Sequence, residues 1–234
     1  WRWGCVMRLN DRDADRTDAG VGQGGQRELE ESIIRAGLCT GCGACVNICP
    51  YQASYHDRTV TLHSCDLAQG RCYACCPRTP ADREALRKTI TPGAHWTPEA
   101  GVVEGFHITR ATDEGIRRQA QHGGTVTALI SLALREGLID AAVLAAEGEG
   151  LLPRAVTVSD AEAAAMMGKS RFVVSPTVAE FNRAIRSDHR RIGVVATPCQ
   201  ALAFAKMRTQ PVTGPASGIE KLRLVVGLFC GWAL

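Results

Sequence analysis

With 234 residues and 45% hydrophobic side chains, the chain can bury a real core, as one large domain or a small one beside a medium one. Its formal charge of +3 comes from 27 basic and 24 acidic residues interspersed along the chain. No basic stripe with interleaved aromatics is present, which argues against a nucleic-acid partner. No apolar run reaches the roughly 18 residues of a membrane span, and the polar start carries no secretory signal, so a cytoplasmic protein without a membrane span is expected.

The chain begins at Trp1 and stops inside the apolar segment LRLVVGLFCGWAL (222–234), so it reads as a fragment. Residues 1–27 read as a flexible N-terminal segment, with Arg16–Arg27 (RTDAGVGQGGQR) as a glycine-rich linker. Eleven cysteines follow an uneven distribution, eight of them within 39–76. An odd number at such tight spacing suits metal better than disulfides and points to a reducing compartment.

A first module is predicted over 28–90. ELEESIIRAG (28–37) has a short helical pattern, with Gly37 as its C-terminal stop. Next comes CTGCGACVNICP (39–50), with Cys39, Cys42, Cys45 and Cys49 spaced C-x2-C-x2-C-x3-C-P, the bacterial ferredoxin run. Three thiolates two residues apart, on a loop relaxed by Gly41 and Gly43, wrap one face of a 4Fe-4S cubane. The fourth is carried away at Pro50 toward a neighbouring cluster. A structural zinc site is the competing reading, although zinc usually draws on two well-separated pairs.

CDLAQGRCYACCP (65–77) partly duplicates that run: Cys72-x3-Cys76-Pro77 repeats Cys45-x3-Cys49-Pro50. YHDRTVTLHS (55–64) supplies the connecting turn and a short strand. Cross-over ligation then predicts Cys39, Cys42, Cys45 and Cys76 around the first cluster. Cys49 and Cys72 belong to the second, with Cys65 and Cys75 completing it, or with Cys75 as a spare buried thiol. TPADREALRK (79–88) closes the module as a helix, with Thr79 as N-cap and Pro80 at the first helical position.

From 101 to 234 strand and helix patterns alternate, predicting an α/β domain with a largely parallel sheet. TDEGIRRQAQ (112–121) is a polar helix. HGGTVTALISLALREG (122–137) is an apolar helix with a glycine-rich start, and LIDAAVLAA (138–146) is a buried strand. SDAE (159–162) and TVAE (177–180) read as capping boxes. RRIGVVATPCQALAFAKMR (190–208) is a strand, a tight turn and a helix, and RLVVGLF (223–229) is a further strand. Ligands of such sheets bind outside the carboxyl ends of the strands. The backbone N–H groups of Gly123, Gly124 and Thr125 suit a phosphate there, or form an ordinary turn and cap. Ser170 and Arg171 are a second anion contact or a solvated surface pair. Cys199, after Thr197 and Pro198, sits where a helix dipole favours thiolate. Cys230 ends the next strand. Each thiol alone is an ordinary buried cysteine; together they resemble half a metal site.

These residues carry a family resemblance. AQHGGTVTALISLALREGLIDAAVLA, SRFVVSP, VATPCQALAFAKMR and LRLVVGLFC, in that order from about Gly105 to Leu234, resemble the beta subunit of coenzyme F420 (deazaflavin) hydrogenases and dehydrogenases. The N-terminal module is similar to the one fused to this domain in formate dehydrogenase beta subunits. The resemblance implies an iron–sulfur flavoprotein subunit, with FAD between 4Fe-4S clusters and a hydride-accepting partner. It implies that Gly123, Gly124, Thr125, Ser170, Arg171, Thr197 and Pro198 contact the flavin nucleotide. It further implies that Cys199 and Cys230 ligate a third 4Fe-4S cluster with a later C-x2-C pair beyond this chain. On this reading 101–234 is the N-terminal flavin-binding part and the C-terminal domain is missing. Lys169 stands where the family usually has Gly, and Phe172 where it usually has Tyr.

The resulting expectation is an oxidoreductase subunit that acts within a complex. Electrons pass singly through clusters, pair on FAD and leave as hydride to deazaflavin or a similar acceptor, while cofactors carry the chemistry. No side chain stands out as a general acid or base. Its redox partners would be hydrogenase, formate dehydrogenase or heterodisulfide reductase-like subunits. Two rivals remain: a flavin-free 4Fe-4S electron-transfer module docking a larger enzyme, and, more weakly, a zinc-stabilised interaction protein.

Overall fold

The structure, a computed structural model, describes residues 4–8, 24–93, 95–97, 101–209 and 218–231. β1 spans Gly4–Arg8 and α1 spans Gln26–Leu29, continuing as one turn of π-helix over Glu30–Ile34. The cysteine runs flank a hairpin of β2 (Gln52–Tyr55) and β3 (Arg58–Thr61), and the short α2 (Arg71–Ala74) carries Cys72. There follow α3 (Arg83–Ile90), the two-residue strands β4 (Trp96–Thr97) and β5 (Gly101–Val102), and α4 (Glu114–Gln119). The second half consists of α5 (Thr125–Arg135), β6 (Ala141–Ala146), β7 (Arg154–Val158), α6 (Ala161–Met166) and α7 (Thr177–Ala184). It ends in β8 (Ile192–Ala196), α8 (Pro198–Thr209), a 3-10 turn at Ile219–Lys221 and β9 (Leu222–Leu228).

The main sheet runs β1-β9-β8-β6-β7. The expected parallel character holds at its centre, where β6, β8 and β9 are parallel, while both edge strands pair antiparallel. Chain length dictates the β7 edge. Residues 147–153 are too few for a crossover, which needs about a dozen residues, so β7 must fold back on β6. Residues 4–8, read from sequence as part of a flexible segment, form β1 on the opposite edge; there β9 offers an unpaired row of backbone groups that a strand satisfies. The segment 16–23 of the predicted linker lies outside the described residues, but Gly24, Gly25 and Gln26 are buried and α1 has already begun.

Period-2 alternation explains how the sheet buries both faces. Ala142, Leu144 and Val226 point into one cluster with Ile130 and Ala133 of α5 and Ala164 of α6. Their neighbours Val143, Val194, Ala196 and Val225 point the other way, against Val178 and Phe181 of α7 and Ala203 and Phe204 of α8. Phe181 and Phe204 meet edge to face, with centroids 5.0 Å apart.

Three predicted caps move. Asp82, not Thr79, caps α3, its carboxylate accepting from Ala85 N at 2.9 Å, because Thr79 is buried and engaged elsewhere. Asp160, one residue after Ser159, caps α6. At α7 the N-cap is Pro176, and Glu180 is drawn instead to Thr157 Oγ1 and Arg183, both at 2.5 Å. The strand expected at 138–146 begins at Ala141, since Leu138 and Ile139 close the turn after Gly137 onto Ala133 O.

The cysteine module is not a bead on a string. Cys42, Ala44 and Cys75 lie in the same buried cluster as Val143, Phe181 and Phe204. Val178 N donates to Cys42 O, and Asn182 Nδ2 donates to Ala44 O (3.2 Å) and Val46 O (2.8 Å). Asn47 returns a bond to Ala179 O at 2.8 Å. Gly43 makes this closeness feasible. Its φ of +77° favours glycine, and a Cβ there would come within 2.7 Å of the Ala179 Cβ.

Candidate functional site

The loop of the first cysteine run is shaped by Gly41 (φ +61°) and Gly43, so that its thiols turn inward. Cys39, Cys42, Cys45 and Cys76 line one cavity, closed by Leu29 and Ile33 of the first helix and by Thr59 of β3. Thr59 N donates toward Cys39 Sγ (3.4 Å), and its hydroxyl accepts from Cys45 Sγ (3.4 Å). Burial pushes the Cys42 thiol up to about 12, with the neighbouring Cys199 and Cys76 sulfurs adding to the rise and the Ala44 N–H opposing it. Burial likewise raises Cys45 and Cys76. Such thiols stay protonated until something cationic takes their protons away, as an iron cluster does. Among the described residues no three His, Cys, Asp or Glu groups meet at single-ion distance. The four sulfurs surround a space instead, and an all-thiolate donor set around it fits a 4Fe-4S cluster.

A second set lies beside it. Cys72 is buried and Cys49 half-buried, both packed in one cluster with Cys45 and Cys76. Burial pushes the Cys72 thiol up to about 11, and the Cys49 and Cys65 sulfurs contribute. The Cys75 Sγ donates to Ala44 O at 3.3 Å and, more weakly, to Cys72 O at 3.8 Å, inside the core shared with α7 and α8. Residue spacing left Cys65 and Cys75 undecided; the Cys65 sulfur acts on Cys72, while Cys75 lies among the sulfurs of Cys45, Cys76, Cys42 and Cys72.

Three segments meet at the carboxyl edge of the parallel strands. Gly124 begins α5 with φ +74°, and Thr125 Oγ1 lies 3.0 Å from Thr109 Oγ1. The 168–171 loop abuts that helix start, since a Cβ on Gly168 would lie 3.1 Å from Thr127 Oγ1. Arg171 reaches Glu147, just past β6, at 3.7 Å, while its Nε is buried without a partner. Thr197 and Pro198 open α8 directly after β8. Thr197 N donates to Gln200 Oε1, and Gln200 Nε2 ties the turn to Ser175 O at 2.7 Å. Cys199 Sγ lies 3.2 Å from Thr197 Oγ1 and packs against the cluster containing Cys42. Cys230 is exposed past the end of β9 at the same edge. Cys199 and Cys230 therefore stand at neighbouring strand ends but do not close into a site by themselves.

Sequence patterns missed several contributors. Thr59 is an ordinary strand threonine until the hairpin folds over the thiols. Asn182 and Lys206 sit on helices whose partners lie more than a hundred residues away. Lys206 left one trace, a charge within the otherwise apolar ALAFAKM (201–207).

A cysteine-lined lobe sharing its core with a three-layer α/β domain is the architecture of an iron–sulfur protein built into a larger redox fold. Residues 33–55 match the 4Fe-4S binding domain model. Residues 107–181 match "Coenzyme F420 hydrogenase/dehydrogenase, beta subunit N-term", and residues 189–234 match the corresponding C-terminus model. The chain belongs to the coenzyme F420 hydrogenase/dehydrogenase beta subunit family. Over 124 residues it is 34% identical to the coenzyme F420 hydrogenase subunit beta of Methanothermobacter thermautotrophicus, a match covering 52% of this chain and 43% of that one. It is 25% identical over 210 residues to the coenzyme F420-dependent sulfite reductase of Methanocaldococcus jannaschii, covering 85% of this chain and 31% of that one. A solved chain of the F420-reducing [NiFe] hydrogenase complex of Methanosarcina barkeri is 31% identical, with a TM-score of 0.46, covering 52% and 43% respectively. The chain thus spans less than half the length of each of these three proteins. No helix among the described residues is long and apolar enough to cross a membrane.

Proposed function

We propose that this chain is an iron–sulfur flavoprotein subunit that relays electrons between two 4Fe-4S clusters and an FAD, for hydride exchange with coenzyme F420 or a similar acceptor. The observation that carries the reading is the fusion of the cysteine lobe with the α/β core. In it Cys42 packs in one cluster with Cys199 at the start of α8, a turn that Gln200 ties to Ser175 O, which supports a path from the first thiol set to the carboxyl edge of the sheet. Clusters supply single-electron transfer and FAD supplies the pairing of electrons into a hydride.

The residues have separable tasks. Cys39, Cys42, Cys45 and Cys76 hold the first cluster, and Cys49, Cys65 and Cys72 contribute to the second. Leu29 and Ile33 keep water from the first cavity. Gly123, Gly124 and Thr125 present backbone N–H groups at the start of an 11-residue helix, whose dipole favours a phosphate. Arg171 carries a buried, unpartnered Nε, a donor suited to an anionic oxygen. Thr197 and Pro198 shape the turn that brings Cys199 close. Cys199 and Cys230 are offered as two ligands of a third cluster. Partners are redox subunits of a hydrogenase-, formate dehydrogenase- or heterodisulfide reductase-like complex.

Anaerobic purification with iron, sulfide and flavin counting tests the assignment. Flavin bands over broad cluster absorption are expected. Arg171→Ala should weaken FAD binding about tenfold or more, the loss of one charge-assisted bond of about 1.5–3 kcal/mol. Clusters without flavin would reduce the chain to an electron-transfer module, and zinc without sulfide would refute both.

A further inference from the structure

Lys206 is 1% exposed, on α8 of the α/β domain, yet its ammonium group lies against the cysteine lobe. Nζ donates to Thr79 Oγ1 (2.6 Å), Cys76 O (2.7 Å), Thr79 O (3.2 Å) and Pro80 O (3.2 Å). The surroundings are all acceptors. Thr79 has a single hydroxyl proton, committed to Tyr73 O or Cys76 O at 2.8 and 2.9 Å, so toward Lys206 it can only accept. A neutral amine would aim its lone pair at carbonyl oxygens, whereas an ammonium satisfies the shell with its three protons. The group is therefore a buried cation, one peptide unit from the thiol of Cys76. Among the described residues no carboxylate is hydrogen-bonded to it. A buried lysine charge is costly, so a chain needing only to tie down a turn would be served as well by an uncharged donor.

We infer that Lys206 is a positioning residue for the first cluster: it fixes the 76–80 turn that delivers Cys76, and its buried charge holds that cluster's reduction potential up. Reduction adds an electron to an already anionic thiolate-bound cluster. A fixed positive charge in a dry site favours the more negative, reduced state. The second set of thiols, around Cys49, Cys65 and Cys72, lacks such a neighbour among the hydrogen bonds of Lys206, so the two clusters should part in potential. This inference rests on the first thiol set holding a cluster.

The test is a redox titration followed by electron paramagnetic resonance on the anaerobically purified full chain. Wild type is compared with Lys206→Met, which keeps length without charge, and Thr79→Val, which removes an anchor and keeps the charge. In Lys206→Met one midpoint should become more negative, with the reduced-to-oxidised ratio at fixed potential falling at least tenfold, or 59 mV for a one-electron couple. The other midpoint and both midpoints of Thr79→Val should stay put. Unmoved midpoints in Lys206→Met at full iron content would overturn the inference, as would an equal shift in Thr79→Val. If Lys206→Met does not retain iron, Lys206→Gln, which still donates to Cys76 O and Thr79, is read by the same criterion. Absence of iron and sulfide from the wild-type chain would instead defeat the cluster reading beneath it.

Discussion

Replacing Gly43 with alanine should pry the cysteine lobe from α7, and Gly37→Ala provides the control. Both glycines have left-handed φ, +77° at Gly43 and +69° at Gly37, so both substitutions incur about 1–2 kcal/mol of backbone strain. Only Gly43 lacks room. Its new Cβ would meet Ala179 Cβ at 2.7 Å and Ala179 N at 2.9 Å, and neither a methyl fixed to the helix nor its backbone can swing away. Nothing lies within 4 Å of a Cβ at Gly37. Overpacking of this kind costs about 1–3 kcal/mol beyond the strain. Relief requires separating Cys42–Cys45 from α7, which stretches the bonds from Asn182 to Ala44 O and Val46 O. Anaerobic urea denaturation should therefore place Gly43→Ala about 1–3 kcal/mol below Gly37→Ala in stability, and iron retention should fall only in the former. Equal stabilities and equal iron contents in the two variants would refute the shared core.

Two further outcomes are expected. Cys75→Ser should keep its full iron content, because that thiol donates to Ala44 O within the core, whereas Cys65→Ser should lose iron from the second set; iron and sulfide counts decide it. The metal-free chain should lose stability in alkali. The folded thiols of Cys42 and Cys72 ionise at about 12 and about 11, against an ordinary value near 9, so below pH 9 both states keep their protons and the full stability is present. Above pH 9 the unfolded chain releases protons that the folded chain retains. Each such thiol then costs on the order of 1 kcal/mol per pH unit, until the folded group ionises as well. Melting curves of the chelator-stripped chain from pH 7 to pH 10 check this, and a flat profile would contradict it.

Local order was legible from the residues themselves. Cysteine spacing and the flanking glycines identify the cluster run because a cubane's ligands and the turns between them are set within a dozen residues of chain. Strand–helix alternation and the TPC turn likewise report local periodicity and capping, and β8, α8 and β9 appear where the pattern puts them. The cap at Thr79 misled because its hydroxyl is engaged by Lys206 from a distant segment, which propensity cannot register, whereas the buried Thr177 hydroxyl turns to Ser175 O just before the helix.

What the sequence determined alone was thus the identity of the cluster-binding lobe and the succession of elements behind it. Only tertiary structure decided that this lobe and the α/β domain share one core, that Cys75 donates to Ala44 O within it, and that Lys206 reaches Cys76 O. The physical reason is sequence separation. These contacts join residues 31 to 138 positions apart, through packing and hydrogen bonds that exist only once both faces of the sheet are covered.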